Sequence, residues 1–143
     1  MNSTRLIQFL LLGVVAFVSG CASMNKQSVR VFPDPQPDKG LVYFYRESKM
    51  LGCAISYNIK EDGNVVGAIG NGTYCFVFSE PGIHTYSAST EAEASRTLDV
   101  QAGYTYYIEC GVDMGFVAGR PALKIASALE AKSVLPSLTY VTK

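Results

Sequence analysis

The 143 residues carry 12 Lys plus Arg against 12 Asp plus Glu and a single histidine, so the chain is formally neutral at pH 7. With that balance and no run of Lys or Arg, it lacks the electrostatic footprint of a nucleic-acid binder or of a protein held to anionic lipid by charge. Its length suits one small domain and hardly two.

Residues 1–20 read as a signal peptide: Arg5 supplies a positive charge, and an apolar run of about 13 residues follows from Leu6 to Val18, too short to span a bilayer comfortably. Small residues precede Cys21. Val18-Ser19-Gly20-Cys21 resembles the bacterial lipobox. That resemblance implies cleavage between Gly20 and Cys21, a diacylglycerol on the cysteine thiol, and an acylated new amino terminus. Two acyl chains such as palmitate, at about 0.8 kcal/mol per buried CH2, exceed what stable anchoring needs. Two other readings stand beside it, an ordinary cleaved signal peptide with Cys21 a bystander and an uncleaved amphipathic anchor. In Gram-negative lipoproteins an Asp after the lipidated cysteine often marks inner-membrane retention. Ala22 and Ser23 stand there instead, so the resemblance implies the outer membrane, facing the periplasm. Removing residues 1–20 takes away Arg5 alone, which leaves 11 basic residues against 12 acids and a mature charge of about −1.

Residues 21–38 read as the lipidated cysteine and a flexible spacer. Pro33-Asp34-Pro35-Gln36-Pro37-Asp38 forbids helix and interior strand. Fully extended at about 3.1 Å per residue, the seventeen residues from 22 to 38 hold the domain up to roughly 50 Å from the bilayer. The alternative is that part of the segment packs on the domain, with Val29 to Phe32 as an edge strand.

From Lys39 to Ser127 the pattern is short strands between turns. Strands are predicted at 41–46, 53–60, 64–69, 73–79, 83–89, 95–101, 104–112 and 122–127. Asp62-Gly63 offers a tight hairpin, and Asn71-Gly72, Pro81-Gly82 and Ala102-Gly103 offer comparable corners. The spacing predicts an all-β domain, a small antiparallel β-sandwich of about seven to eight strands or a partly closed barrel. Period two turns Cys53, Ile55, Tyr57 and Ile59 inward, and likewise Tyr104, Tyr106, Ile108 and Cys110. Tyr74, Phe76 and Phe78 compete with Cys75 and Val77 for burial, which places that strand centrally.

The succession Gly40-Leu41-Val42-Tyr43-Phe44-Tyr45-Arg46, Gly63, Val66-Gly67, Asn71-Gly72-Thr73-Tyr74, Pro81-Gly82-Ile83-His84, Ala102-Gly103-Tyr104-Thr105-Tyr106-Tyr107 and Gly119-Arg120-Pro121 resembles the Gram-negative lipoprotein domain of unknown function numbered twenty-eight forty-six. More distantly it is similar to PEGA and carboxypeptidase-regulatory-like modules. The resemblance implies a small β-sandwich and an envelope address, and it carries over no active site.

With Cys21 lipidated, Cys53, Cys75 and Cys110 remain, so at most one intramolecular disulfide is expected and one thiol is left over. Strand parity leans to Cys53 with Cys110, pairs with Cys75 stay open, and three small buried hydrophobes is the competing reading. No CxxC occurs and His84 is the only histidine, so no zinc site and no cofactor are expected. His84 reads as a turn residue after Pro81-Gly82. A Cys75/His84 dyad, as in an envelope hydrolase, would need an orienting group and an oxyanion site that no local signature supplies.

Two binding candidates stand out. The loop from Val112 to Arg120 joins Met114, Phe116 and Val117 to glycines, with Arg120 as a polar rim; it is either a partner contact or a plug over the end of the sandwich. The nine tyrosines are either an aromatic platform for glycan or core residues. In the tail, residues 128–143, Ala128 to Leu135 suggests one or two helical turns stopped by Pro136. Together these readings describe a non-enzymatic lipoprotein that binds another envelope protein or a cell-wall component, with an envelope hydrolase or a purely structural tether as rivals.

Overall fold

The computed structural model describes residues 23–115 and 119–143. Among these, ten strands form two stacked sheets, in agreement with an all-β sandwich. The first sheet contains β1 (Asn25–Lys26), β2 (Gly40–Arg46), β5 (Thr73–Ser79), β8 (Thr105–Met114), β9 (Gly119–Ala126) and β10 (Thr139–Thr142), in the order β1-β10-β5-β2-β8-β9. The second contains β3 (Tyr57–Glu61), β4 (Asn64–Ile69), β6 (Gly82–Ser89) and β7 (Glu93–Val100), in the order β4-β3-β6-β7. Most neighbours are antiparallel, but β2 with β8 and β5 with β10 pair in parallel, so the larger sheet is mixed. The eight strands expected from the sequence correspond to β2–β9. β1 and β10, two and four residues long, add onto an existing edge and are too short to show any period of their own.

The hairpin from β3 to β4 turns at Asp62 and Gly63, both left-handed with φ of 48° and 86°, which only a residue pair such as Asp-Gly takes readily. Between the sheets lies a core of Val42, Phe44, Ile59, Ile69, Tyr86, Val100, Ile108 and Leu123. The outer face of the large sheet holds a second core, Leu41, Tyr43, Tyr45, Tyr74 and Tyr107, under Ala131, Leu135 and Leu138. Every residue of β2 is therefore buried. The two-sided strand Thr73–Ser79 is explained likewise, with Cys75 packed between the sheets and Phe76 and Phe78 packed against the outer cluster.

The cover of that outer face comes from both chain ends. After β9, helix α1 (Ala128–Val134) starts at Ser127, whose side chain accepts from Glu130 N–H while Glu130 Oε2 accepts from Ser127 N–H. These bonds to Ser127, with Lys124 adding to them, draw the Glu130 carboxyl down to about 2. A single 3-10 turn over Leu135–Ser137 follows, and Thr139 N–H bonds Gly72 O to start β10. The amino-terminal arm docks too. Gln27 N–H donates to Tyr140 O, Arg30 Nε to Leu138 O, and Phe32 stacks on Tyr74 at 5.1 Å. The segment read as a flexible spacer is thus packed on the domain from Asn25 to Phe32, without Val29 to Phe32 forming a strand.

Candidate functional site

Between the arm and the carboxy-terminal turn lies a cleft of about 390 Å3, within the range of small-ligand and peptide pockets. Leu41, Tyr43 and Tyr107 floor it, Pro33 and Pro35 form one wall, and Leu135 and Pro136 form the other. The floor is rigid because Tyr43 and Tyr107 occupy one register of the parallel β2–β8 pair and stack at 5.5 Å with planes 11° apart. Burial raises the pKa of both phenols, so they stay protonated donors, and Asp34 adds to the effect at Tyr43. Neither phenolic hydroxyl has a hydrogen-bond partner among the described residues, and no buried side-chain oxygen or nitrogen there is left unsatisfied, so both hydroxyls open toward solvent. Lys132 and Asp34 stand at the rim, and neither enters an ion pair among the described residues. An apolar floor with four unengaged polar groups can bind a mixed apolar and polar segment. The sequence hid this cleft because its walls come from stretches about 100 residues apart.

The aromatic residues do not present a glycan platform at this floor, since Tyr43 and Tyr107 are only 4% and 7% exposed and stack on each other. The core reading of the tyrosines holds for Tyr43, Tyr45, Tyr57, Tyr74, Tyr86 and Tyr107, all buried, while Tyr104 is 61% exposed.

The cysteines fall apart as chemistry. Cys53, Cys75 and Cys110 are all free. Cys53 was expected on an inward-facing strand; it lies exposed in a turn, because β3 starts only at Tyr57. Cys75 and Cys110 both face the core between the sheets, but they sit on β5 and β8, which flank β2. Two strand spacings put their backbones roughly 9–10 Å apart, beyond the about 7 Å that a disulfide tolerates. Burial lifts the Cys75 thiol to about 12 and raises Cys110 as well, so neither is a nucleophile at neutral pH.

His84 is occupied elsewhere. It lies on β6 rather than in the turn before it, with Nδ1 2.7 Å from Asp62 Oδ2 and 3.4 Å from Glu61 Oε1, and Nε2 2.8 Å from the Glu80 carbonyl oxygen. No hydrogen bond among the described residues joins His84 to Cys75, whose thiol is buried between the sheets. Carboxylates and carbonyls only accept, so both ring nitrogens carry protons when both bonds are made. Burial lowers the His84 pKa, and the bonds to Asp62 and Glu80 outweigh it, raising the pKa above the ordinary 6.5. Asp62 is lowered in turn by the Thr85 N–H and by His84. A raised histidine pKa stabilises the fold fully below about 6.5 and loses that contribution as pH rises through the folded value; a lowered Asp contributes above about 4 and loses it on acidification. We expect stability to peak between those limits. Melting of His84→Gln, measured from pH 5 to 8, will lack the alkaline loss expected of the native chain.

Of the loop candidates, Met114 is 71% exposed at the end of β8, opposite Gly119. Arg120 Nε contacts Glu91 Oε1 at 3.3 Å. Phe116 and Val117 lie outside the described residues, as do Gly20 and Cys21. Among the described residues no group of His, Cys, Asp and Glu could hold a metal ion, and no helix is long and apolar enough to cross a membrane.

Residues 36–121 match a protein family described as "Protein of unknown function (DUF2846)". No curated protein and no solved structure matches the chain.

Proposed function

The chain belongs to this family of unknown function, and from that premise we propose that it is an outer-membrane lipoprotein held by acylated Cys21, with a non-enzymatic sandwich that binds an envelope partner. The observation that carries the binding reading is the cleft over Tyr43 and Tyr107, where two phenols, the Lys132 ammonium and the Asp34 carboxylate lack partners above an apolar floor. Buried binding surfaces of this kind, apolar with a few convergent polar groups, orient an extended segment of protein or cell-wall peptide. The arm that lines the cleft is rich in proline, so holding it in place costs little chain entropy. The lipobox at 18–21 supports the membrane address.

The test is site-specific photocrosslinking in intact cells, with a benzophenone side chain at Thr105 in the cleft wall and, for comparison, at Ile83, which is 75% exposed. We expect a discrete adduct from Thr105, weakened several-fold by Lys132→Glu, and none from Ile83. Equal labelling from both positions, or none from Thr105, would sink the cleft as the binding site.

A further inference from the structure

We propose that the end of the sandwich bearing the turn of residues 49–55 rests on the bilayer and inserts Met50, Leu51 and Met114 into its interface. The inference depends on Cys21 carrying acyl chains. Met50 is 90% exposed, Leu51 55% and Met114 71%; the first two lie in the turn and the third ends β8. Cys53 N–H bonds Met50 O and Ile55 N–H bonds Gly52 O, which rolls this segment into a tight turn. A side chain added at Gly119 would meet Ile55 Cδ1 and Val112 Cγ1, so the hairpin of Met114 and Gly119 is packed directly on that turn.

What covers this apolar end follows from where the described chain stops. Met24 packs on Gly70, with its Cε 2.8 Å from a Cβ built there, and shares a cavity with Cys53, Ala54 and Ile55. Cys21 lies three residues before Met24. At roughly 3.3–3.6 Å per residue, the acylated sulfur's backbone is tethered within about 10 Å of that point. The approximately 50 Å spacer that the proline run suggested is therefore not available, because the arm is spent on the domain from Asn25 onward. A domain held this closely by its acyl chains must set its neighbouring surface against the headgroups, and the turn beside it exposes Met50 and Leu51.

The chain contains no tryptophan, so a single introduced one reports its own surroundings. The full lipidated protein carrying Met50→Trp is reconstituted into vesicles of phosphatidylethanolamine and phosphatidylglycerol with brominated acyl chains. Ile83→Trp is the comparison, because Ile83 lies at the start of β6, at the opposite end of the sandwich. Expected is a blue-shifted emission at position 50 quenched by roughly half or more, with position 83 unquenched. Protein that floats with the vesicles but shows an unquenched Trp at 50 overturns the inserted end while leaving the anchor intact, and a blue shift without quenching assigns that end to a protein contact instead. Protein that does not float overturns the acyl anchor itself, and this inference with it.

Discussion

Tyr74→Ala should lower the melting temperature by roughly 10–25 °C, the effect of losing about 3–5 kcal/mol in a domain of this size. Tyr74 is fully buried on β5 and is the hub of the outer layer. Phe32 stacks on it at 5.1 Å with planes 2° apart, Tyr140 lies 5.4 Å away and Tyr43 6.4 Å. Its hydroxyl both accepts from Val31 N–H and donates to Val31 O, each at 2.9 Å. The substitution thus opens a ring-sized cavity and unfastens the arm in one step. Tyr74→Phe separates the two: the ring stays and only the pair of hydrogen bonds goes, costing about 1–2 kcal/mol. In both variants trypsin should cut after Arg30 much faster than in the native chain, because its guanidinium no longer stays bound to Leu138 O. A Tyr74→Ala protein melting within a few degrees of the native chain would show that the outer layer adds little to stability.

How far the sequence could foretell this layer depends on the signal each part leaves. The interior strands were readable because period-two alternation and turn pairs such as Asp62-Gly63 are local. The burial of GLVYFYR on both faces was half-readable, since an uninterrupted apolar strand demands two covers without naming them. The helical turns from Ala128 to Leu135 were legible, but not the face they cover. Only Asn25 and Lys26 of the arm join a ladder, and the fold holds the rest largely through side chains, Tyr74 to Val31 and Arg30 to Leu138, at separations of 43 and 108 residues. The cleft depends on that docking, so Pro33, Asp34 and Lys132 could not be gathered in advance. The cysteines failed differently: Cys53 continues the alternation of β3 on paper, but the tight turn closed by Cys53 N–H to Met50 O takes it out of the strand.

That same turn is fixed by a charge buried at the end of β2, and Arg46→Met should cost about 2–4 kcal/mol. Arg46 is 3% exposed, and its two terminal nitrogens donate to Ile55 O and Gly52 O, each at 2.7 Å. No ion pair among the described residues includes it. Charged hydrogen bonds of this kind contribute about 1.5–3 kcal/mol apiece, and the relief of no longer burying a guanidinium offsets part of their loss. Lysine is a poor substitute, because one compact ammonium does not span two carbonyls that a planar fork reaches together; Arg46→Lys should recover less than half of the deficit. The damage should be local before it is global. Amide exchange at Cys53 and Ile55, whose N–H groups close the turn, should accelerate by an order of magnitude or more, while Phe44 and Ile108 in the core keep their protection until the domain unfolds. Equal acceleration at all four positions would mean that Arg46 supports the whole sandwich rather than the turn that carries Met50 and Leu51.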